Sequence, residues 1–288
     1  MGKKTHDLIT WAHHLFLFYR EKVFRKLLPI MGVIILYEII ICVFLPHITR
    51  HNLGQFHLIF SFILTIVISF RVNSSYSRWW EGRTLWGSIV NNCRNLALKF
   101  DTYFGLEQNQ EFYQLLCKLP IIIKANLRKD HTLLSAELKS LGFDNFSSEQ
   151  PVLLVTQRMY GIINQFRDGS IDRMQQCALL ETNLNNIIDM VGGCERIANT
   201  PMPPAFAYFV KQALLFYALM FPFGWLNTFG FLIIPMMLMI IYVLLGLEML
   251  SEELEEPFHI GDNGLNLDVI AKNIELNVEQ ISSTPNKA

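Results

Sequence analysis

The sequence predicts an all-α integral membrane protein, in which four transmembrane helices carry a helical cytoplasmic domain. Three observations lead there. Apolar residues fill 51% of the 288 positions and charged residues only 17%, a balance too apolar for an ordinary soluble domain. Four apolar windows approach the roughly 20 residues that a bilayer requires. Elsewhere apolar residues recur at helical three- and four-residue steps, with no alternating strand pattern.

The first window is "LLPIMGVIILYEIIICVFLPH", Leu27 to His47. The second, "LGQFHLIFSFILTIVISF", runs from Leu53 to Phe70 without Asp, Glu, Lys or Arg. "PAFAYFVKQALLFYALMFPF", Pro204 to Phe223, is the third, and "FLIIPMMLMIIYVLLGLEML", Phe231 to Leu250, the fourth. Pro29 and Pro235 fall within about the first turn of their runs, where a missing N–H does little harm. A soluble bundle of buried helices is the competing reading, but two close pairs of such windows are hard to bury in a chain of this size. Glu38 lies near the middle of the first window and Lys211 within the third. An unpaired charge there costs roughly 3 kcal/mol, so each must face protein or water. Pairing with each other is one solution; for Lys211, snorkelling to the inner surface is the expected one.

Basic residues set the orientation. Lys3, Lys4, Arg20, Lys22, Arg25 and Lys26 precede the first window, and Arg71, Arg78 and Arg83 follow the second. The connection between the first two windows offers only Arg50, and "GWLNTFG", between the last two, has no charge. Both termini and the long middle region therefore face the cytoplasm. The chain divides into a cytoplasmic N-terminal segment 1–26, a helix pair 27–70, a cytoplasmic domain 71–203, a second pair 204–250 and a cytoplasmic C-terminal segment 251–288. Residues 8–24 fit either an amphipathic helix lying at the interface or a core-packing helix. Phe223, Trp225 and Phe229 suit the outer interface, and Trp79, Trp80 and Trp86 the inner one or the region just beneath it.

Within the cytoplasmic domain, 110–127 and 150–166 have helical patterns, the latter with Pro151 in its first turn. Met174, Cys177, Leu180, Leu184, Ile187 and Val191 form an amphipathic stripe. Residues 280–288 read as a loose tail.

The motifs of most chemistry are missing. A net charge of −1 gives nucleic acid nothing to bind. The five cysteines are odd in number and contain no CxxC, which argues against a disulfide framework or a zinc site. Glycine-rich phosphate loops, a nucleophile elbow and HExxH do not occur. No enzyme activity, catalytic residue, metal or cofactor is expected. His47 and His51 read as surface histidines. "DNGLNLD", Asp262 to Asp268, departs from an EF-hand at Gly264 and Asn273 and reads as a turn and helix start. Glu252, Glu253, Glu255 and Glu256 form a solvated helix face or a cation-collecting mouth.

The second window carries the functional signal. With about 100° per residue, Phe62 and Phe70 lie about 40° to either side of Ile66. If the helix continues unbroken, Asn73, Ser77, Thr84, Ser88, Asn91 and Asn95 fall in the same arc, with Trp80 the one bulky exception. Arg71, Arg78, Glu81, Arg83, Arg94 and Lys99 fall outside it. One face thus changes from bulky and apolar to small and polar, as a face lining a water-filled passage would.

"FRVNSSYSRWWEGRTLWG" (70–87), "GGCERIANTPMPPAFAY" (192–208) and "EELEEPFHIGDNGLNLDVIAKNIE" (252–275) resemble signature stretches of the bacterial bestrophins. The resemblance implies a homopentameric channel around a central pore in the bacterial inner membrane, passing monovalent ions, chloride or cations. It implies a hydrophobic neck, and counting back nine residues from Trp79 reaches Phe70, with Ile66 and Phe62 one turn apart each. The small polar arc read above, Asn73, Ser77, Thr84, Asn91 and Asn95, is expected to line the vestibule of that pore. The resemblance further implies a cytoplasmic aperture of one hydrophobic side chain, placed at Leu180 with Leu179 and Leu184 as rivals. The Asp-rich calcium cluster of eukaryotic members is replaced by spaced glutamates, so calcium gating is not expected. The tryptophans are expected to wedge the second helix against neighbouring spans. A secondary transporter with a midplane site near Glu38 is the alternative.

Overall fold

The computed structural model describes residues 22–44, 53–107, 109–143 and 150–283, and every regular element among them is helical. The expectations for the interfacial helix before Lys22, for His47, Arg50 and His51, and for the tail beyond Ser283 lie outside the described residues. The helices are α1 (Lys22–Phe44), α2 (Gly54–Phe104), α3 (Gln110–Leu127), α4 (His131–Ser140), α5 (Pro151–Gln165), α6 (Ile171–Asn199), α7 (Pro204–Phe229), α8 (Ile233–Glu255) and α9 (Leu267–Ser283). They fall into two units, Met1–Tyr76 with Met202–Glu255, and Ser77–Pro201 with Glu256–Ala288.

In the first unit the described residues of the four apolar windows lie almost wholly on α1, α2, α7 and α8. Among the described residues, three stretches are long and apolar enough to cross a membrane: Arg25–Phe44, Gly54–Phe104 and Pro204–Glu255. The last joins α7 to α8 through Gly230, whose φ of 53° only glycine adopts easily. Its core is built from helical stripes: Leu27, Met31, Ile41 and Cys42 of α1, Leu64 and Ile68 of α2, Val210, Leu214, Tyr217 and Phe221 of α7, and Ile233, Met237 and Ile241 of α8. Pro29 is not in the first turn. Helix α1 begins at Lys22, before the apolar run, so Pro29 stands inside it and leaves the Arg25 carbonyl without its helical donor.

In the second unit, Trp86, Ile89, Cys93, Leu96 and Phe100 of α2 pack with α3, α5 and α6. Phe100 stacks on Phe112 at 3.8 Å between centroids and Phe104 on Phe166 at 4.1 Å, aromatic pairs that add to the energy of burial alone. The helices anticipated at 110–127 and 150–166 are α3 and α5, and Pro151 opens α5. Helix α4 has no counterpart in the sequence reading; Asp130 caps it by accepting from the Leu133 amide at 3.0 Å. Residues 280–283, read as tail, continue α9 instead. Burial pushes the Cys93 and Cys194 thiols up to about 12, so they remain protonated and pack as small apolar groups.

Candidate functional site

Helix α2 is one uninterrupted α-helix of 51 residues, about 75 Å long at 1.5 Å per residue. Its two sides differ. Leu64, Ile68, Arg71, Ser75, Trp86, Ile89, Cys93, Leu96 and Phe100 are buried. On the other side Phe62, Ile66 and Phe70 are 68%, 41% and 65% exposed. Asn73, Ser77, Thr84, Asn91 and Asn95 are exposed as well. The apolar triplet and the small polar residues thus share the side of α2 that the chain does not cover. Exposed Arg83 and Arg94 border this face, whereas Glu81 is held by Arg196 at 3.0 Å.

Helix α6 packs beside the polar part of α2. Asn183 and Asn186 donate to Asn92 Oδ1 at 3.0 and 3.3 Å, and Lys99 donates to Asn183 Oδ1 at 2.7 Å. Here the expectation for Leu180 is corrected. Leu180 is 0% exposed, in the buried stripe of Cys177, Leu184, Ile187 and Val191, and Leu184 is equally enclosed. A residue in the core cannot face an axis outside the chain. Leu179 is 41% exposed and Ile171 82%, and both lie within about 60° of Asn186 on the helix. Met174, placed in the apolar stripe by sequence, also points outward.

Those parts of the three resembling stretches that lie in the second unit meet there. Arg78 donates to the carbonyls of Ile197 and Thr200 at 2.8 and 3.0 Å, answering the open carbonyls at the C-terminus of α6 with a positive charge. Trp79 Nε1 donates to the Asn263 carbonyl at 2.9 Å. A Cβ at Gly82 would lie 3.2 Å from the Phe258 and Pro257 side chains, so a larger residue there would press the 257–265 turn away by a few tenths of an ångström. The turn closes with Leu265 N–H on the Pro257 carbonyl at 2.7 Å. Asp268 ties it to α3 through Lys124 and Arg128 at 2.7 and 2.8 Å. Those two donors hold its carboxyl down at about 2. The expected wedge of tryptophans is met inside the second unit by two of the three. Trp79 packs on the second unit's core, Trp86 is fully buried in it, and Trp80 stays exposed. "DNGLNLD" is the expected turn and helix start.

In the first unit Lys211 reaches Glu252 at 3.0 Å rather than Glu38. Glu38 is 1% exposed with neither oxygen hydrogen-bonded, on the same side of α1 as Leu27, Met31, Ile41 and Cys42. Sequence reasoning missed a second arrangement. Arg71, assigned to the cytoplasmic flank, is 1% exposed and lies 2.9 Å from Glu255 and 3.6 Å from Glu248, which is 0% exposed. A glutamate inside the otherwise apolar fourth window was the available signal.

Helix α2 thus presents one uncovered face, apolar in its membrane-type half and polar beyond, in an all-helical chain with stretches long enough to cross a membrane. The particular family follows from comparison. The model of the bacterial and fungal bestrophins matches residues 3–280, and the chain belongs to that family. It is 32% identical over 238 residues to a voltage-dependent anion channel-forming protein of a Nostoc species, covering 78% of this chain and 77% of that one. It is 29% identical over 227 residues to the voltage-dependent anion channel-forming protein YneE of Escherichia coli K12, covering 76% and 73%. The crystal structure of a bestrophin homologue from Klebsiella pneumoniae superposes with a TM-score of 0.80 at 24% identity, over 88% of this chain and 98% of that one. A tryptophan-to-alanine variant of that homologue gives 0.83 at 24% identity, over 91% and 99%. The fold is that of a bestrophin.

Proposed function

We propose that this chain forms a passive channel for monovalent anions, with five copies arranged so that their α2 helices enclose one pore. The uncovered face of α2 carries the reading. A solitary stripe cannot enclose a path, and apolar exposure at three successive turns needs partners. Helices α1, the first part of α2, α7 and α8 span the inner membrane of a bacterial cell with both termini in the cytoplasm. Phe62, Ile66 and Phe70 form a hydrophobic neck, passed by dehydration and transient wetting rather than by ligation. Asn73, Ser77, Thr84, Asn91 and Asn95 line the vestibule. The aperture belongs to Leu179, with Ile171 two turns toward the start of α6. The names of the relatives support anions, and so do Arg83 and Arg94 beside the polar face, because fixed positive charge along a pore raises the local anion concentration.

Purified protein in a planar bilayer under a KCl gradient is expected to give single-channel steps that reverse toward the chloride equilibrium potential. The steps persist in EDTA, because spaced glutamates replace an aspartate cluster. Reversal at the potassium potential at every cytoplasmic pH, or current that only calcium restores, would overturn the corresponding part. Light scattering corrected for detergent is expected to give five chains per particle, and a monomer would defeat the pore altogether.

The enclosed, unpartnered carboxyl of Glu38 favours a second reading, a transporter with a site at that level. Saturable flux without unitary steps, abolished in Glu38→Gln, would select it.

A further inference from the structure

Arg71 directly follows Phe70 on α2 and turns away from the uncovered face, into the first unit. It meets two carboxylates with one positive charge. The Glu255 carboxylate is well satisfied: Oε2 lies 2.9 Å from Arg71 Nη2, and Oε1 accepts the Met202 amide at 2.8 Å. Arg71 Nη1 lies 3.6 Å from Met202 Sδ, and Ser75 Oγ approaches the same sulfur at 4.0 Å. Glu248 is left over. It is fully enclosed, neither oxygen has a hydrogen bond, and the guanidinium Nε stays 3.6 Å away.

The other charges around Glu248 do not balance it. Lys211 of α7 is committed to Glu252 at 3.0 Å, and Lys26 of α1 lies 3.7 Å from Glu253. The segment before α7 brings only the Met202 amide and sulfur. Arg71 and Glu248 are enclosed and Glu255 is 13% exposed, so the three together carry one negative charge too many at a site where only the Glu255 end meets water. Enclosed charge is expensive without a partner, and the smallest partner able to enter is a proton.

We propose that Glu248 is a proton-binding site whose occupancy sets the ion preference at the inner end of the neck. This rests on the channel reading. With the proton bound, as a carboxylic acid, Glu248 leaves a neutral Arg71–Glu255 pair behind Phe70. Releasing the proton to water leaves a carboxylate and one net negative charge behind the last apolar ring, and salt screens an enclosed charge poorly. The protonated channel admits anions; the deprotonated one repels them and admits cations. One chain thus gives a channel whose preference follows cytoplasmic pH.

The test is the reversal potential of the full-length protein in a planar bilayer under a KCl gradient, as the cytoplasmic-side pH is stepped from acidic to alkaline. The chloride-to-potassium permeability ratio is expected to fall by about a hundredfold or more, because a unit charge about 10 Å from the axis at an effective dielectric of about 20 changes the partition of each ion by roughly tenfold and acts oppositely on the two. Glu248→Gln is expected to hold the high ratio at every pH. A flat parent, or a Glu248→Gln variant that titrates like the parent, overturns the proposal. Infrared difference spectroscopy of the purified protein supplies a second readout. It should show a protonated-carboxyl band that titrates in the parent and is missing in Glu248→Gln. This readout needs no current, so a protein that never conducts defeats the channel reading while the band still decides the proton site. Should Glu248→Gln fail to assemble, Glu248→Met fills the same space without a charge, and the titrating band of the parent stands by itself: its absence overturns the proposal.

Discussion

Replacing Phe62, Ile66 and Phe70 together by alanine is expected to raise single-channel conductance several-fold, with the oligomer intact. The three side chains stand one helical turn apart, about 6 Å per level, and they are 68%, 41% and 65% exposed. If five copies converge on this face, each level presents an apolar ring too narrow to hold a hydrated ion comfortably. Water leaves such rings readily, so the barrier is dehydration rather than charge. Alanine removes most of the ring and lets water remain. Assembly survives because these side chains bury little within their own chain. The matching control, Leu64, Val67 and Ile68 to alanine, lies on the covered side. Leu64 and Ile68 are each 2% exposed in the first unit's core, and truncating such residues costs about 2–5 kcal/mol each. The control is expected to lower the yield of oligomer. If the neck variant assembles and conducts like its parent while the control changes permeation, the pore face has been assigned to the wrong side of α2.

Local pattern made α2 legible. Its two-sidedness recurs every three or four residues, so Phe62 through Asn95 could be sorted into arcs before any partner was known. The same locality explains what was missed. Arg71 looks like any basic residue at the inner end of a span, because the carboxylates that enclose it stand far along the chain, at Glu248 and Glu255. Trp79 looks like an interfacial anchor because the turn it touches, at Asn263, is equally remote. Helix α4 is short and mixed in polarity, and its clearest mark is a single cap at Asp130. Leu180 is a different kind of miss. The stripe from Cys177 to Val191 already describes a buried face, and Leu180 stands inside it rather than on the exposed side of α6.

The two leucines next to each other on α6 should therefore behave as opposites. Leu180→Ala opens a cavity among Cys177, Leu184, Ile187 and the other residues of the second unit's core. Leucine-to-alanine changes at such sites cost about 2–5 kcal/mol, because the surroundings collapse only partly into the space. At about 2–4 °C per kcal/mol for a chain of this size, the melting temperature of the detergent-solubilised protein is expected to drop by roughly 5–15 °C. Surviving channels should conduct as before, because the side chain never met the ion path. Leu179→Ala removes an exposed side chain from the face of α6 that also carries Asn186, the donor to Asn92 on the polar part of α2. An exposed truncation changes stability by about 0.5 kcal/mol or less, so melting should hardly move. What should move is permeation: a narrow apolar ring selects among ions by how easily they shed water. The relative permeability of large, weakly hydrated anions over chloride is expected to fall, and to fall further with Ile171→Ala added. Melting curves and bi-ionic potentials on the same three preparations give the answer. A Leu180→Ala protein that melts like the parent but changes anion selectivity would return the aperture to Leu180 and require α6 to turn its buried stripe outward on assembly.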